Sequence, residues 1–163
     1  MTLTVQPTGT VNAGTNHRLN EATLAEVARR VASIGVGIAH ADWSFDWGWQ
    51  QSAQGVFSVD LTMQLTMEMP VWSRKSSRPL AEQREWDRFL RALRQHEDGH
   101  HVICRREVQT MHRAMNGANQ TSVQSVHNRE DARIDRLNVE YDRSSDHGRR
   151  QTGPHGNTVI NVP

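Results

Sequence analysis

The chain has 163 residues, with 19 basic against 18 acidic side chains and a formal net charge of +1. That length reads as one domain with enough chain to bury a real core. Acids and arginines interleave, as in Gln83-Arg84-Glu85-Trp86-Asp87-Arg88, which describes a solvated face and makes nucleic acid a poor partner. Cys104 is the only cysteine, so an intrachain disulfide is excluded.

Residues 1–18, rich in Thr, Gly and Asn, read as an extended arm with a short edge strand at Leu3–Val5. The opening Met1-Thr2-Leu3-Thr4-Val5-Gln6-Pro7 has neither the charged nor the apolar region of a secretory signal, and no run is long enough to span a bilayer. Asn20 is the expected cap of a helix with a Leu24, Val27, Val31 and Ile34 stripe, stopped at Gly35. Trp43, Phe45, Trp47 and Trp49 then alternate with Ser44, Asp46 and Gly48, which is strand periodicity. After a turn at Gln50–Gly55, apolar residues occupy every odd position from Phe57 to Val71, and the pair reads as a half-buried antiparallel ribbon. Its Met and Trp content is ordinary core packing.

Pro70 ends the second strand, and Pro79 opens a long helix at a first-turn position. Trp86, Phe89, Leu90, Leu93, Ile103, Cys104, Val108 and Met111 recur at spacings of three and four along it, one buried stripe. Asn116 and Gly117 mark its end. A second amphipathic helix, entered through Thr121 or Ser122, carries Val123, Val126, Ile134, Leu137 and Tyr141 and is expected to pack on the first. Residues 149–163, with Gly153, Pro154 and Gly156, read as a flexible tail.

Within the long helix stands His96-Glu97-Asp98-Gly99-His100, an HExxH motif. At this spacing two imidazoles lie one turn apart on one face and can converge on a metal ion, while Glu97 reaches the metal's water. The motif fills the gap between Leu93 and Ile103 on the apolar stripe, so its side chains point inward. Unpaired, two histidines and a carboxylate are expensive to bury, and a metal removes that difficulty. Gly99 costs about 1 kcal/mol in a helix relative to alanine, which implies that something approaches the backbone there.

A catalytic zinc site takes three protein ligands and leaves a fourth position for water. A metzincin third ligand is excluded, since Ile103 and Arg106 occupy the positions where that motif has Gly and His. Glu130, with His127 beside it, offers a gluzincin-like carboxylate on the second helix, and Tyr141-Asp142-Arg143-Ser144-Ser145-Asp146-His147-Gly148 is the other source. Cys104, four residues past His100, is a remoter one.

The Trp43–Trp49 strand, Met69-Pro70-Val71-Trp72, Trp86, Phe89, Leu93, the HExGH pentapeptide and Tyr141-Asp142 followed by His147-Gly148 resemble a bacterial family. It is that of predicted secreted zinc-dependent proteases, long catalogued as a domain of unknown function and grouped with the zincins. The likeness covers roughly residues 20 to 150. It departs at Ser145, where the family's YDxxTxHG-like element has threonine, and in the lone cysteine. The resemblance implies an α+β, zincin-like single domain over 19–148, with a small antiparallel sheet on a long HExxH helix and a second C-terminal helix. It also implies that residues 141–148 belong to the active site. His147 is the first choice for third ligand, because neutral imidazole suits zinc and Gly148 permits a tight turn. Asp142 comes second, as ligand or as the carboxylate orienting one. Tyr141 either donates to the oxyanion of a tetrahedral intermediate or packs.

The function expected is therefore zinc-dependent hydrolysis of peptide bonds, with Glu97 as general base. A monomer acting on a peptide or protein, without nucleic acid or membrane partners, is the corresponding expectation. By resemblance it is secreted or periplasmic, although no leader stands in the sequence, which leaves the cytoplasm open. The rival reading is a non-catalytic zinc-binding or interaction module, whose ion would be closed by a fourth ligand such as Cys104 or His101.

Overall fold

A computed structural model describes residues 1–12, 17–55 and 57–162; expectations that fall on 13–16 of the arm, on 56 and on 163 lie outside them. In chain order the elements are β1 (Leu3–Val5), β2 (Gly9–Asn12), β3 (Arg18–Leu19), α1 (Leu24–Ile34), β4 (His40–Gln51), β5 (Phe57–Met69), β6 (Val71–Trp72), α2 (Leu80–Asn116) and α3 (Val123–Ser145). The class is α+β. No helix among the described residues is long and apolar enough to cross a membrane.

The sheet is organised around β5. Its odd residues Val59, Leu61, Met63, Leu65 and Met67 are all buried, as a period-two pattern on one covered face requires. β4 pairs antiparallel along it, with Trp43 opposite Leu65 and Trp47 opposite Leu61. On its other edge β1 and β2 follow one another, both parallel to β5, with Leu3 opposite Leu61 and Gly9 opposite Thr66. The arm thus supplies two strands where its composition indicates one. β3 and β6 form a separate two-stranded parallel pair.

Thr23, not Asn20, caps α1. Its hydroxyl accepts from the Glu26 N–H at 3.3 Å, while the Glu26 carboxylate accepts from the Thr23 N–H at 3.0 Å, a complete capping box. Asn20 instead accepts from the Ser73 hydroxyl at 2.6 Å. Gly35 stops the helix with φ 72°, a conformation glycine adopts without strain.

α2 runs for 37 residues, about 55 Å at 1.5 Å per residue, and divides the core. Trp86, Phe89 and Leu93 pack with Leu24, Val27, Ile38 and Trp72. Cys104, Val108, Met111 and Met115 pack with the β5 residues and with Ile134 of α3. His96, Glu97 and His100 lie at the seam between these clusters. α3 runs antiparallel to α2, so Asn138 meets His100 and Asp142 meets His96 one turn further on.

The segment after α3, expected to be a flexible tail, is laid against α2. Arg88 donates to the carbonyls of His155 and Asn157, each at 2.9 Å, and to that of Val159, while its guanidinium is held in a fork by Glu85. Gln151 donates to the Ala92 carbonyl at 2.7 Å, and Ile160 is buried in the first core cluster. Backbone carbonyls are the acceptors here. Composition therefore carries no trace of the docking.

Candidate metal centre

Three side chains converge at the seam. His96 Nε2 lies 3.1 Å from Asp142 Oδ1, and His100 Nε2 lies 3.0 Å from the same oxygen. The ligand atoms of His96, His100 and Asp142 all fall within 4.8 Å of one another. Helical spacing brings the two imidazoles together, and the antiparallel register of α3 sets the carboxylate opposite them.

The hydrogen bonds around the cluster decide its chemistry. Asn138 donates its amide N–H to the Ile134 carbonyl at 2.9 Å, which turns its oxygen toward His100 Nδ1, 2.8 Å away. That oxygen only accepts, so the proton sits on Nδ1 and Nε2 presents its lone pair to the cluster. Nε2 then faces a carboxylate oxygen at 3.0 Å. Two acceptors so close repel unless a cation, either a second proton or a metal ion, lies between them. Burial foremost, and then the neighbouring His100, push the His96 pKa down to about 4 against the pull of Asp142, so its ring is neutral at neutral pH. Two imidazoles and a carboxylate are a donor set that zinc accepts.

Glycines and Tyr141 hold these rings in place. The phenol ring stacks on His96 with centroids 5.1 Å apart and meets His100 edge-on at 5.0 Å. A Cβ at Gly99 would overlap its hydroxyl, so this glycine is where Tyr141 approaches the helix backbone. The hydroxyl donates to the His96 carbonyl at 3.3 Å. The hydroxyl thus lies against the α2 backbone, and the ring packs on both imidazoles. At Gly148, with φ 81°, a Cβ would stand 3.1 Å from His96 Cγ and 2.6 Å from Thr158.

Glu97 is buried beside the donors without being one of them. Burial first, and the Asp142 charge second, push its pKa up to about 7 against a hydrogen bond from the Ala41 backbone of β4. It lines a cleft of ≈ 760 Å³ together with His96, His100, Asp142 and His147. Ile38 and Ala39, just before β4, and His40, Ala41 and Trp43 of β4 itself line the same cleft.

Asp142, second choice in the sequence, takes the position expected for His147. The physical reason is the length of α3, which stays helical through Ser145 and keeps Asp142 on the face toward α2. Beyond it Asp146, His147 and Gly148 all have positive φ (50°, 50° and 81°), and the chain turns away. His147 remains at the edge, its Nδ1 3.5 Å from Asp142 Oδ1 and its side chain 41% exposed.

The other candidates lie elsewhere. Glu130, three helical turns before Asp142, pairs with Arg129 at 2.8 Å and Arg133 at 3.4 Å. His127 stacks on Trp47. His101 Nε2 lies 2.9 Å from the Thr66 carbonyl on the sheet side. Burial pushes the Cys104 thiol up to about 11, and its sulfur accepts from Asn138 at 3.6 Å rather than facing the donors. Asn138 itself escapes sequence reasoning, although a polar residue four positions from both Ile134 and Asp142 is a signal to look for.

The sequence model of a family described as bacterial protein of unknown function, DUF922, matches residues 10–148, and the chain belongs to this family. No curated protein and no solved structure matches it. The match includes every residue of the cluster and ends at Gly148, before the segment that docks on α2.

Proposed function

We propose that the protein is a zinc-dependent peptidase. The reading rests above all on His100 Nε2 and Asp142 Oδ1, two acceptors facing each other at 3.0 Å beside a second imidazole. His96, His100 and Asp142 would hold the ion. Zinc, when bound, polarises a carbonyl and acidifies its water. Glu97 has the place of a general base: a carboxylate in the cleft wall, next to the donors in sequence but outside their set, able to take a proton from water and return it to the leaving amine. Asn138 fixes the tautomer of His100, and Tyr141 braces both rings. β5 is bonded on both edges, so an extended peptide or protein segment would add to the outer edge of β4 instead. The non-catalytic alternative requires a closing fourth ligand. Neither Cys104 nor His101 faces the cluster, and the imidazole nearest to it, His147, stands at the cleft edge with its side chain 41% exposed, so a closed site would have to be completed by His147.

The test compares wild type, Glu97→Gln and chelated wild type on an unbiased peptide library, with zinc measured by elemental analysis. Glu97→Gln should keep about one zinc per chain while cleavage falls by at least ~10²-fold, the scale of lost proton-transfer catalysis. Cleavage surviving equally in all three samples, or a wild type without zinc after zinc has been offered at neutral pH, overturns the proposal.

A further inference from the structure

The cleft continues past the cluster into an apolar chamber. On α1 the inward stripe is only partly covered: Leu24 and Val27 are buried, whereas Ala28, Val31 and Ala32 face the cleft and keep access to solvent. Two larger apolar side chains look into the same space from other elements, Val139 of α3 at 66% exposure and Val159 at 43%. The small residues of α1 make the room, and Leu93 and Ile160 close the chamber behind. A volume of ≈ 760 Å³ for the whole cleft lies within the usual range of about 300–1,000 Å³ for ligand sites.

One wall comes from outside the matched family region. Thr158 donates its hydroxyl to the His147 carbonyl at 2.9 Å and its N–H to the Gly148 carbonyl at 3.2 Å, while Arg88 pins the carbonyls around it to α2. With the Asn161 N–H donated to Glu85 at 2.7 Å, the segment is fastened at Thr158 and at Asn161, and Val159 and Ile160 lie between the two. No ionised side chain of α1 reaches the cleft lining; Asp135 of α3 and Arg149 line it from the other side.

We infer that this chamber receives an apolar side chain of the substrate next to the cleaved bond, and that residues 158–160 are its specificity-determining wall. The inference rests on the peptidase reading for the word substrate but not for the binding itself. A leucine or phenylalanine side chain would leave water for apolar walls, whereas a glutamine or glutamate would lose hydration with no partner on α1.

The experiment titrates the full chain, with and without added zinc, with N-acetyl-leucinamide and N-acetyl-glutaminamide, following methyl resonances of Ala28, Val31 and Ile160. The leucine compound should shift these methyls and bind at least about tenfold more tightly than the glutamine compound. Ala32→Trp, which fills the chamber, should abolish the preference while leaving zinc content unchanged. Val159→Glu, at an exposed position that does not threaten folding, should weaken the leucine compound by a similar factor. Equal binding of the two compounds, or a preference untouched by both variants, overturns the inference. The titration involves no cleavage, so an inert wild type that still prefers the leucine compound defeats only the peptidase reading. Library cleavage with no apolar preference beside the cut defeats only the chamber.

Discussion

His100 is oriented by a residue that never touches the cluster's centre. Asn138 sets which nitrogen carries the proton, and its removal lets the ring choose the wrong tautomer. Asn138→Ala should therefore weaken zinc binding about 10–100-fold, the usual cost of losing such an outer partner, in a competition titration against a chromophoric chelator. Asp142→Ala should abolish binding and Glu130→Ala should leave it unchanged; retention by Asp142→Ala together with loss in His147→Ala would restore the sequence-based assignment. Gly99 belongs to the same scale. Gly99→Ala should drive Tyr141 off the helix and cost roughly 1–3 kcal/mol, as overpacking does, and Tyr141→Leu in the same chain should recover much of the loss in thermal unfolding. His96, Glu97 and His100 were legible because helical spacing alone puts them on one face. The third member of the cluster was legible only as a segment, 141–148, in which His147 ranked above Asp142. Its identity depends on whether α3 ends before or after residue 142, and Ser144 and Ser145 gave no local sign that the helix would continue.

Among the elements, the register of α3 on α2 and the docked segment 149–162 decide the shape of the cleft. Pro79, Gly35 and the Asn116-Gly117 end were readable as breakers with known positional meaning. The docking of the last segment was unreadable, because a side chain on α2 captures backbone carbonyls that every sequence possesses. Arg88→Ala should cost roughly 1–3 kcal/mol, the scale of lost charge-assisted hydrogen bonds, and should speed amide exchange selectively between His155 and Asn161. The anchoring is also acid-sensitive. Burial pulls the Glu85 carboxyl up, but its bonds from Arg88 and from the Asn161 N–H outweigh that and hold it below the ordinary carboxylate range. A depressed folded-state pKa contributes stability that is present above the unfolded value, about 4.3, and lost as pH falls through the folded one. Protection of the Asn161 amide should fall over that acid window in wild type and change much less in Arg88→Ala.

At the scale of the molecule, the mixture of a two-residue and a 3.6-residue period announced an α+β domain with its motif on a central helix. The parallel attachment of β1 and β2 to β5 was beyond reach, since it joins segments separated by α1 and β4 and leaves no periodic trace. Because the donors belong to two different helices, zinc bound to the native state alone should stabilise the whole fold. Added zinc at 100 times its Kd should contribute about 2.7 kcal/mol, seen as a rise in Tm that a chelator reverses and that His96→Ala or His100→Ala lacks. A Tm indifferent to zinc in wild type would contradict the proposed centre.

The division of the donors between α2 and α3 also has a consequence for biosynthesis. When His96 and His100 have left the ribosome, the carboxylate of Asp142 has not yet been made, and the turn between the helices must still form before it can face them. β5 is complete long before, so the sheet can assemble on its own schedule, whereas capture of an ion by all three groups would have to wait until α3 has been made. Under the proposed function, the site would stay inert until α3 has been made and has docked on α2.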